Sequence, residues 1–377
     1  MINKKRLVDE FIELVKIGSP SKSEGKICKV VARKLTQLGA KTELGPVGKK
    51  FGSNGSNVIA RIEGKKGVAP ILLNAHLDTV GEDFNITPII SNGIIKSDGT
   101  TILGADDKSG VAIILEIIKI FKEQKISHPP IEIVFTVCEE IGLFGAKTLD
   151  FSKIKAKYGY SLDTGEIEHI TTAAPSHNRI YLKIFGVESH AGAAPELGIS
   201  AIEVASKAIA SLKLGRIDKI STSNIGKISG GVATNIIPGY TEIAGEARSH
   251  SEEKLKKITQ DMLKKFREAV EESEKTIKGK KIIARLEEKV VNEYSKFALS
   301  ENLPVVQKII KAGKKIGKNI TTLQGGGGSD ANVFNKAGIQ TAVVGTGMKK
   351  VHTKEEYIEI DSLVFSANLL LEALRLN

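Results

Sequence analysis

Three short apolar runs in this chain of 377 residues each end on an acid or an imidazole, and that recurrence restricts the fold more than any other feature. Residues 69–75 (APILLNA) lead into His76, residues 131–137 (IEIVFTV) into Cys138-Glu139-Glu140, and the weaker run 158–162 (YGYSL) into Asp163. A nearly continuous apolar run of this length suits a strand buried on both faces, and such strands belong to parallel sheets covered by helices. In open parallel sheets, ligands bind outside the carboxyl ends of the strands. A lone histidine at a strand end is more often a hydrogen-bonded structural residue, and paired acids such as Asp106-Asp107 are more often solvated surface. Three independent strands with the same kind of ending argue against both readings.

His76, Glu140 and Asp163 at these strand ends, with Asp106 and His352 elsewhere in the chain, make up a candidate set of metal ligands. Imidazoles and carboxylates without a thiolate suit zinc, or cobalt and manganese, in an open site rather than a structural zinc knot. Two histidines and three carboxylates are too few for two ions unless one carboxylate bridges them, which makes a water-binding dinuclear site the natural reading. Asp78, two residues after His76, and Glu139, next to Glu140, add carboxylates suited to proton work.

The set His76-x-Asp78, Gly104-x-Asp106-Asp107-Lys108-x-Gly110, Glu139-Glu140-x-Gly142 and a late His352 resembles the dinuclear zinc peptidase family of aminoacylases, glutamate carboxypeptidases and tripeptidase T. The match runs in order along nearly the whole chain. Asp163 and the stretch Gly325-Gly326-Gly327-Gly328-Ser329-Asp330 look most like the tripeptidase T branch. The resemblance implies His76 and Asp163 on one metal, Glu140 and His352 on the other, and Asp106 bridging both. It also implies that Asp78 orients His76 and that Glu139 is the general base for a metal-bridging hydroxide. The flank of His352, Met348-Lys349-Lys350-Val351, is unusually basic for the surroundings of a cationic site.

At this length two domains are expected, because a single core stops growing at about 250–300 residues. Up to about residue 172 strands alternate with helices, including a helix over 108–121, as in an α/β layer fold with a mostly parallel sheet. Ser21-x-x-Glu24 reads as a capping box for a helix that Gly39 ends. After Pro175 the order becomes strand 179–187, helix 200–212, strands 223–228 and 240–248, helix 252–274 and strand 281–291. That is β-α-β-β-α-β, the ferredoxin-like unit. His352 has to rejoin residues far earlier in the chain, so the middle unit is an insertion: residues 1–175 and 292–377 form the metal-binding catalytic domain and residues 176–291 the inserted lid and dimerisation domain.

The inserted unit has candidates of its own in His190, Asn235 and Arg248. Read from the residues alone, the first two could equally tie down loops and the third could be a surface charge. The resemblance implies that they contact substrate and stabilise the oxyanion, with the histidine supplied by the other subunit of a homodimer in several family members. The four glycines lack the Lys-Ser/Thr of a phosphate loop, so Gly326 and Gly327 read instead as permissive backbone beside a substrate, with Asp330 capping the next helix.

Net charge is +11, yet the lysines are dispersed, there is no Trp and aromatics make up only 5%, which leaves few stacking platforms for nucleic acid. The densest basic tract, 252–280, carries Leu255, Ile258, Met262, Phe266 and Val270 at helical spacing and reads as one exposed helix face. No apolar run reaches the roughly 18 residues of a membrane span, and the first ten residues have no signal-peptide core. Cys28 and Cys138 are expected as reduced thiols in the cytoplasm. The expected activity is hydrolysis of short peptides of the tripeptidase or aminopeptidase kind. An N-acyl amino acid deacylase or a carboxypeptidase on the same scaffold is the alternative, and a non-catalytic binding relative, which has no need of Glu139, ranks below both.

Overall fold

A computed structural model describes residues 1–47 and 51–376, which divide into two compact units, Met1–Ala174 with Phe297–Asn377, and Pro175–Lys296. The larger unit is built on a nine-stranded sheet. Its centre is parallel: Ile131–Thr136, Ile71–His76, Tyr158–Ser161 and Gln340–Val344 lie side by side in that order. Antiparallel strands flank this centre, Lys41–Pro46 and Ser56–Ile62 on one side and His169–Ala174 on the other.

Every residue of Ile71–His76 and of Ile131–Thr136 is buried, which explains why these strands read as unbroken apolar runs. Successive residues serve opposite faces. Leu73, Ile133 and Tyr160 meet Phe11, Leu35, Ile113, Ile117 and Leu370 in one core, whereas Leu72 and Val134 meet Phe334 and Ile339 in another. The helix Ala105–Gln124 is buried along almost its whole length, including Glu116. Arg6 makes that acid tolerable with a two-pronged contact, Nε to Oε2 at 2.6 Å and Nη2 to Oε1 at 2.8 Å.

The smaller unit has a five-stranded antiparallel sheet in the order Gly215–Asp218, Ser221–Gly230, Tyr240–Ser249, Ser176–Phe185, Arg285–Tyr294. The helices Ala201–Ala210 and Glu252–Glu271 cover one face through Val204, Ala208, Leu255, Met262 and Phe266. Set aside the edge strand Gly215–Asp218, and this is the β-α-β-β-α-β unit expected from the sequence. Its first and last strands pair antiparallel, which brings its two ends together, and Lys296 N donates to Ser176 Oγ at 2.6 Å.

Local expectations differ at three places. The stretch read as one strand over 281–291 is a hairpin, Lys275–Ile277 with Lys280–Ile282, followed by Arg285–Tyr294. Lys278 and Gly279 both have positive φ (49° and 74°), the geometry a two-residue hairpin turn requires. The inserted unit therefore ends at Lys296 rather than at residue 291, because its last strand continues to Tyr294. The capping box at Ser21 and Glu24 does not form: Ser21 Oγ donates to Asp78, and Glu24 accepts from Lys22 N and Cys138 N.

Candidate metal centre

The parallel centre of the sheet delivers the site residues to one edge. His76 ends its strand, Glu139 and Glu140 follow Ile131–Thr136, and Asp163 follows Tyr158–Ser161. Asp106 sits at the start of the long helix behind Gly104, whose φ of 77° turns the chain into it, and the Asp106–Asp107 peptide is cis. His352, also at positive φ, lies between the short strands Met348–Lys349 and Tyr357–Glu359.

Asp106 is central to the cluster. Its Oδ1 lies 3.0 Å from His76 Nε2, and its Oδ2 lies 3.2 Å from His352 Nε2. Glu140 Oε1 approaches His352 Nε2 at 3.0 Å, and Asp163 Oδ1 lies 3.9 Å from His76 Nε2. Among the described residues, two sets have ligand atoms within 4.8 Å of one another and could hold an ion: His76, Asp106 and Glu140, and His76, Asp107 and Asp163. Asp107 is a poor ligand despite its place in the second set. Both its oxygens already accept backbone N–H groups, from His76 at 3.2 Å and Gly110 at 3.1 Å, so it anchors the strand end.

The electrostatics reflect how closely the charges of the cluster are packed. Burial, reinforced by the Asp106 charge, pushes the Asp163 carboxyl up to about 8. Burial and the Asp163 charge hold Glu139 well above the usual carboxylate range. Hydrogen bonds to Asp106 and Glu140 push His352 up to about 10. Carboxylates crowded in this way take up protons unless positive charge is supplied, and divalent cations supply it. The donor set of imidazole and carboxylate, without a thiolate, fits such ions.

The surrounding residues hold these groups in place, and one contact differs from expectation. The His76 ring is fixed through Nδ1 by the backbone carbonyl of Asp78 at 2.9 Å, whereas the Asp78 carboxylate stands 3.6 Å away. That carboxylate instead accepts from Glu139 N at 2.9 Å, Glu140 N at 3.2 Å and Ser21 Oγ at 2.7 Å. Asp330 does not cap its helix; Ser329 does, in a capping box with Asn332. The buried Asp330 carboxylate accepts from Thr136 Oγ1 and from Asn74 Nδ2, while Asn74 Oδ1 accepts from Ser161 Oγ. Lys108 is fully buried, donates to the Ile17 carbonyl at 2.9 Å, and is lowered by burial to about 7.

A cavity of about 400 Å³ opens beside Asp106 and Asp163, walled by Gly325 to Ser329 and by Met348 to Val351. A Cβ on Gly326 would meet nothing within 4 Å, so its lack of a side chain leaves room in the cavity rather than relieving a clash.

In the smaller unit, Ser189–His190 pairs with Ile236–Ile237, and Ala191 N donates to the Asn235 carbonyl at 2.9 Å. His190 is exposed, and its Nδ1 accepts from Gly192 N and Ala193 N, both at 3.1 Å, so its neutral ring carries the proton on Nε2. Arg248 is not a free surface charge. Glu246, on the same strand face, grips it at 3.0 Å through both Nε and Nη2 and lies 3.2 Å from His177 Nε2. Contacts to His177, together with Arg248, hold Glu246 down at about 2. Glu246 escaped the sequence reading, although its spacing of two from Arg248 on a strand puts both on one face.

Comparison with known proteins agrees with this architecture. The chain is 42% identical over 371 residues to the uncharacterised protein YqjE of Bacillus subtilis, covering 98% of each. It is 29% identical over 303 residues to peptidase T of Fusobacterium nucleatum, covering 78% of this chain and 70% of that protein. Among solved structures, aminopeptidase PepT from Bacillus cereus is 41% identical with a TM-score of 0.86, over 99% of this chain and 98% of the other. A tripeptidase from Staphylococcus aureus is 37% identical with a TM-score of 0.92, over the same shares. The model of peptidase family M20/M25/M40 matches residues 72–376, from the strand that carries His76 through the helix Ile360–Leu374. The chain therefore belongs to that family and is a hydrolase of peptide bonds.

Proposed function

We propose that the chain is a dinuclear metallo-aminopeptidase acting on short peptides, tripeptides foremost. Two divalent ions of the zinc, cobalt or manganese class would be held by His76, Asp106, Glu140, Asp163 and His352. The observation that carries this reading is the placement of Asp106, whose two oxygens face two different histidines at 3.0 and 3.2 Å, with Asp163 and Glu140 completing the two sides. Once bound, such ions polarise a carbonyl and lower the pKa of a coordinated water toward about 7.

The chain's own residues do the rest. Glu139 takes a proton from the attacking water and returns it to the departing amine, a role supported by its burial, 8% exposed, and by the hydrogen bond from its backbone N–H to Asp78. Gly326 and Gly327 line the cavity and admit the peptide backbone. In the smaller unit, which serves as lid and homodimer contact in this reading, Nε2–H of His190 donates to the oxyanion and Asn235 supports it. Arg248, aligned by Glu246, binds the substrate's terminal carboxylate. None of the described helices is long and apolar enough to cross a membrane, and a cytoplasmic enzyme is part of the proposal.

The decisive experiment assays chelated protein, then protein reloaded with zinc, cobalt or manganese, against tripeptides, dipeptides, N-acetyl amino acids and C-terminally amidated peptides. Activity that vanishes on chelation, returns with metal and favours free tripeptides supports the reading. Full activity after chelation, or a preference for N-acetyl amino acids, overturns it.

A further inference from the structure

We propose that Glu356 is a positioning residue that ties the Asp106 loop to the His352 loop and so sets the spacing of the two metal positions. The inference rests on the metallopeptidase reading above and adds a residue to it. Glu356 is 1% exposed, and its carboxylate accepts three backbone N–H groups from a segment 250 or more residues earlier in the chain. Leu103 N and Gly104 N donate to Oε2 at 2.8 and 2.7 Å, and Asp106 N donates to Oε1 at 3.0 Å.

These donors need an outside acceptor. Leu103 and Gly104 lead into the helix Ala105–Gln124 and Asp106 lies in its first turn, where N–H groups have no intrahelical partner, and Gly104 at the capping position has no side chain to accept them. A buried carboxylate takes that place and makes charge-assisted bonds, roughly twice as strong as neutral ones.

Glu356 is itself fixed on both sides. Its backbone N donates to the Thr353 carbonyl at 3.1 Å, and the strand Tyr357–Glu359 that follows it pairs with Ile94–Ser97. His352 lies four residues before it and meets Asp106 Oδ2 at 3.2 Å. Asp106 is thus held twice by one turn of chain, through its side chain by His352 and through its backbone by Glu356. Releasing the second hold lets the carboxylate that faces both histidines drift, and a misplacement of about 1 Å in a catalytic constellation can lower turnover about 10²-fold. Outer groups that orient ligands typically change metal affinity by about 10–100-fold.

Glu356→Gln keeps the size but puts an amide NH₂ against one of the donors. Calorimetric titration of the chelated full-length protein with zinc should show at least about tenfold weaker binding at one of the two sites. With metal saturating, kcat for a tripeptide should fall about 10²-fold while KM stays within about threefold. Glu356→Asp, which restores the charge with a shorter reach, should recover part of both losses. A purely structural role would instead lower the melting temperature of the metal-free protein and leave metal affinity and kcat alone. That pattern, or a folded Glu356→Gln protein with parental affinity and kcat, overturns the proposal. Should Glu356→Gln not fold, the same two measurements on Glu356→Asp decide, and values within twofold of the parent overturn it. A parent protein that binds no divalent ion removes the metallopeptidase reading first, so the two failures are told apart before any variant is made.

Discussion

The Asp78 carboxylate invites a substitution whose outcome separates two roles. Asp78→Asn leaves one oxygen where the native side chain offers two, both of them in use. Oδ1 accepts Glu139 N at 2.9 Å, and Oδ2 accepts Glu140 N at 3.2 Å and Ser21 Oγ at 2.7 Å. The hydroxyl of Ser21 can rotate to accept from the new NH₂, but a backbone N–H cannot. One of the two glutamate N–H groups therefore faces a donor beside the fully buried residue 78. An unsatisfied buried donor costs about 1–3 kcal/mol. If that strain is relieved by moving the turn that carries Glu139, each roughly 1.4 kcal/mol lost from the transition state lowers kcat tenfold, which gives an expected loss of about 10–100-fold. The His76 ring should be spared, since its Nδ1 bonds the backbone carbonyl of residue 78, which the substitution keeps. Zinc affinity should fall by less than kcat does, and that loss runs through Glu140, whose N–H the same carboxylate holds. Steady-state kinetics on a tripeptide and calorimetric zinc titration measure both. Unchanged kcat refutes the reasoning. So does an affinity loss as large as the loss of kcat, because the carboxylate would then act through the ligands His76 and Glu140 rather than through Glu139.

Three further outcomes follow from the same geometry. Glu139→Gln should retain both metals, read by elemental analysis, while kcat falls at least about 10²-fold; Glu140→Gln should instead weaken metal binding, and the reverse pattern would exchange the two roles. Arg248→Ala should chiefly raise KM for free peptides, with a smaller effect on C-terminally amidated ones, and Glu246→Gln should show a weaker form of the same change because it loosens the guanidinium; equal effects on both substrates would remove Arg248 from carboxylate binding. His190→Ala should lower kcat about 10²–10³-fold with metal retained. Mixing His190→Ala with Glu139→Gln chains should recover activity if two subunits share a site, and a fully active monomer excludes sharing.

The parts of this molecule legible in sequence are those whose signal is local. Apolar runs ending in His76, Glu139–Glu140 and Asp163 foretold strands and a common edge, because burial on both faces leaves a continuous pattern. The order of elements between residues 176 and 291 foretold the β-α-β-β-α-β unit because strand and helix patterns are local too. Partnerships across long separations left no such trace. Glu356 sits in Lys354-Glu355-Glu356-Tyr357, which reads as solvated surface, and only the fold brings it to Leu103, Gly104 and Asp106. Ser21 and Glu24 have the spacing of a capping box, but Asp78 and Cys138 compete for the same side chains and win, because their buried donors and acceptors have no water to turn to.

The meeting of Ser176 and Lys296 has a consequence for how the chain matures. The larger unit is interrupted by residues 175–296, and neither its His352 turn nor its last helix exists until that insert has been synthesised. An unstructured insert of this length would separate the two halves by a long loop with its own closure entropy. Because its first and last strands are neighbours in one sheet, folding of the insert shrinks that gap to the length of a hydrogen bond. Synthesis order then favours a nascent chain in which the insert folds first and acts as a clasp. The Asp106 carboxylate would wait, without His352, for the stretch that follows the insert to leave the ribosome.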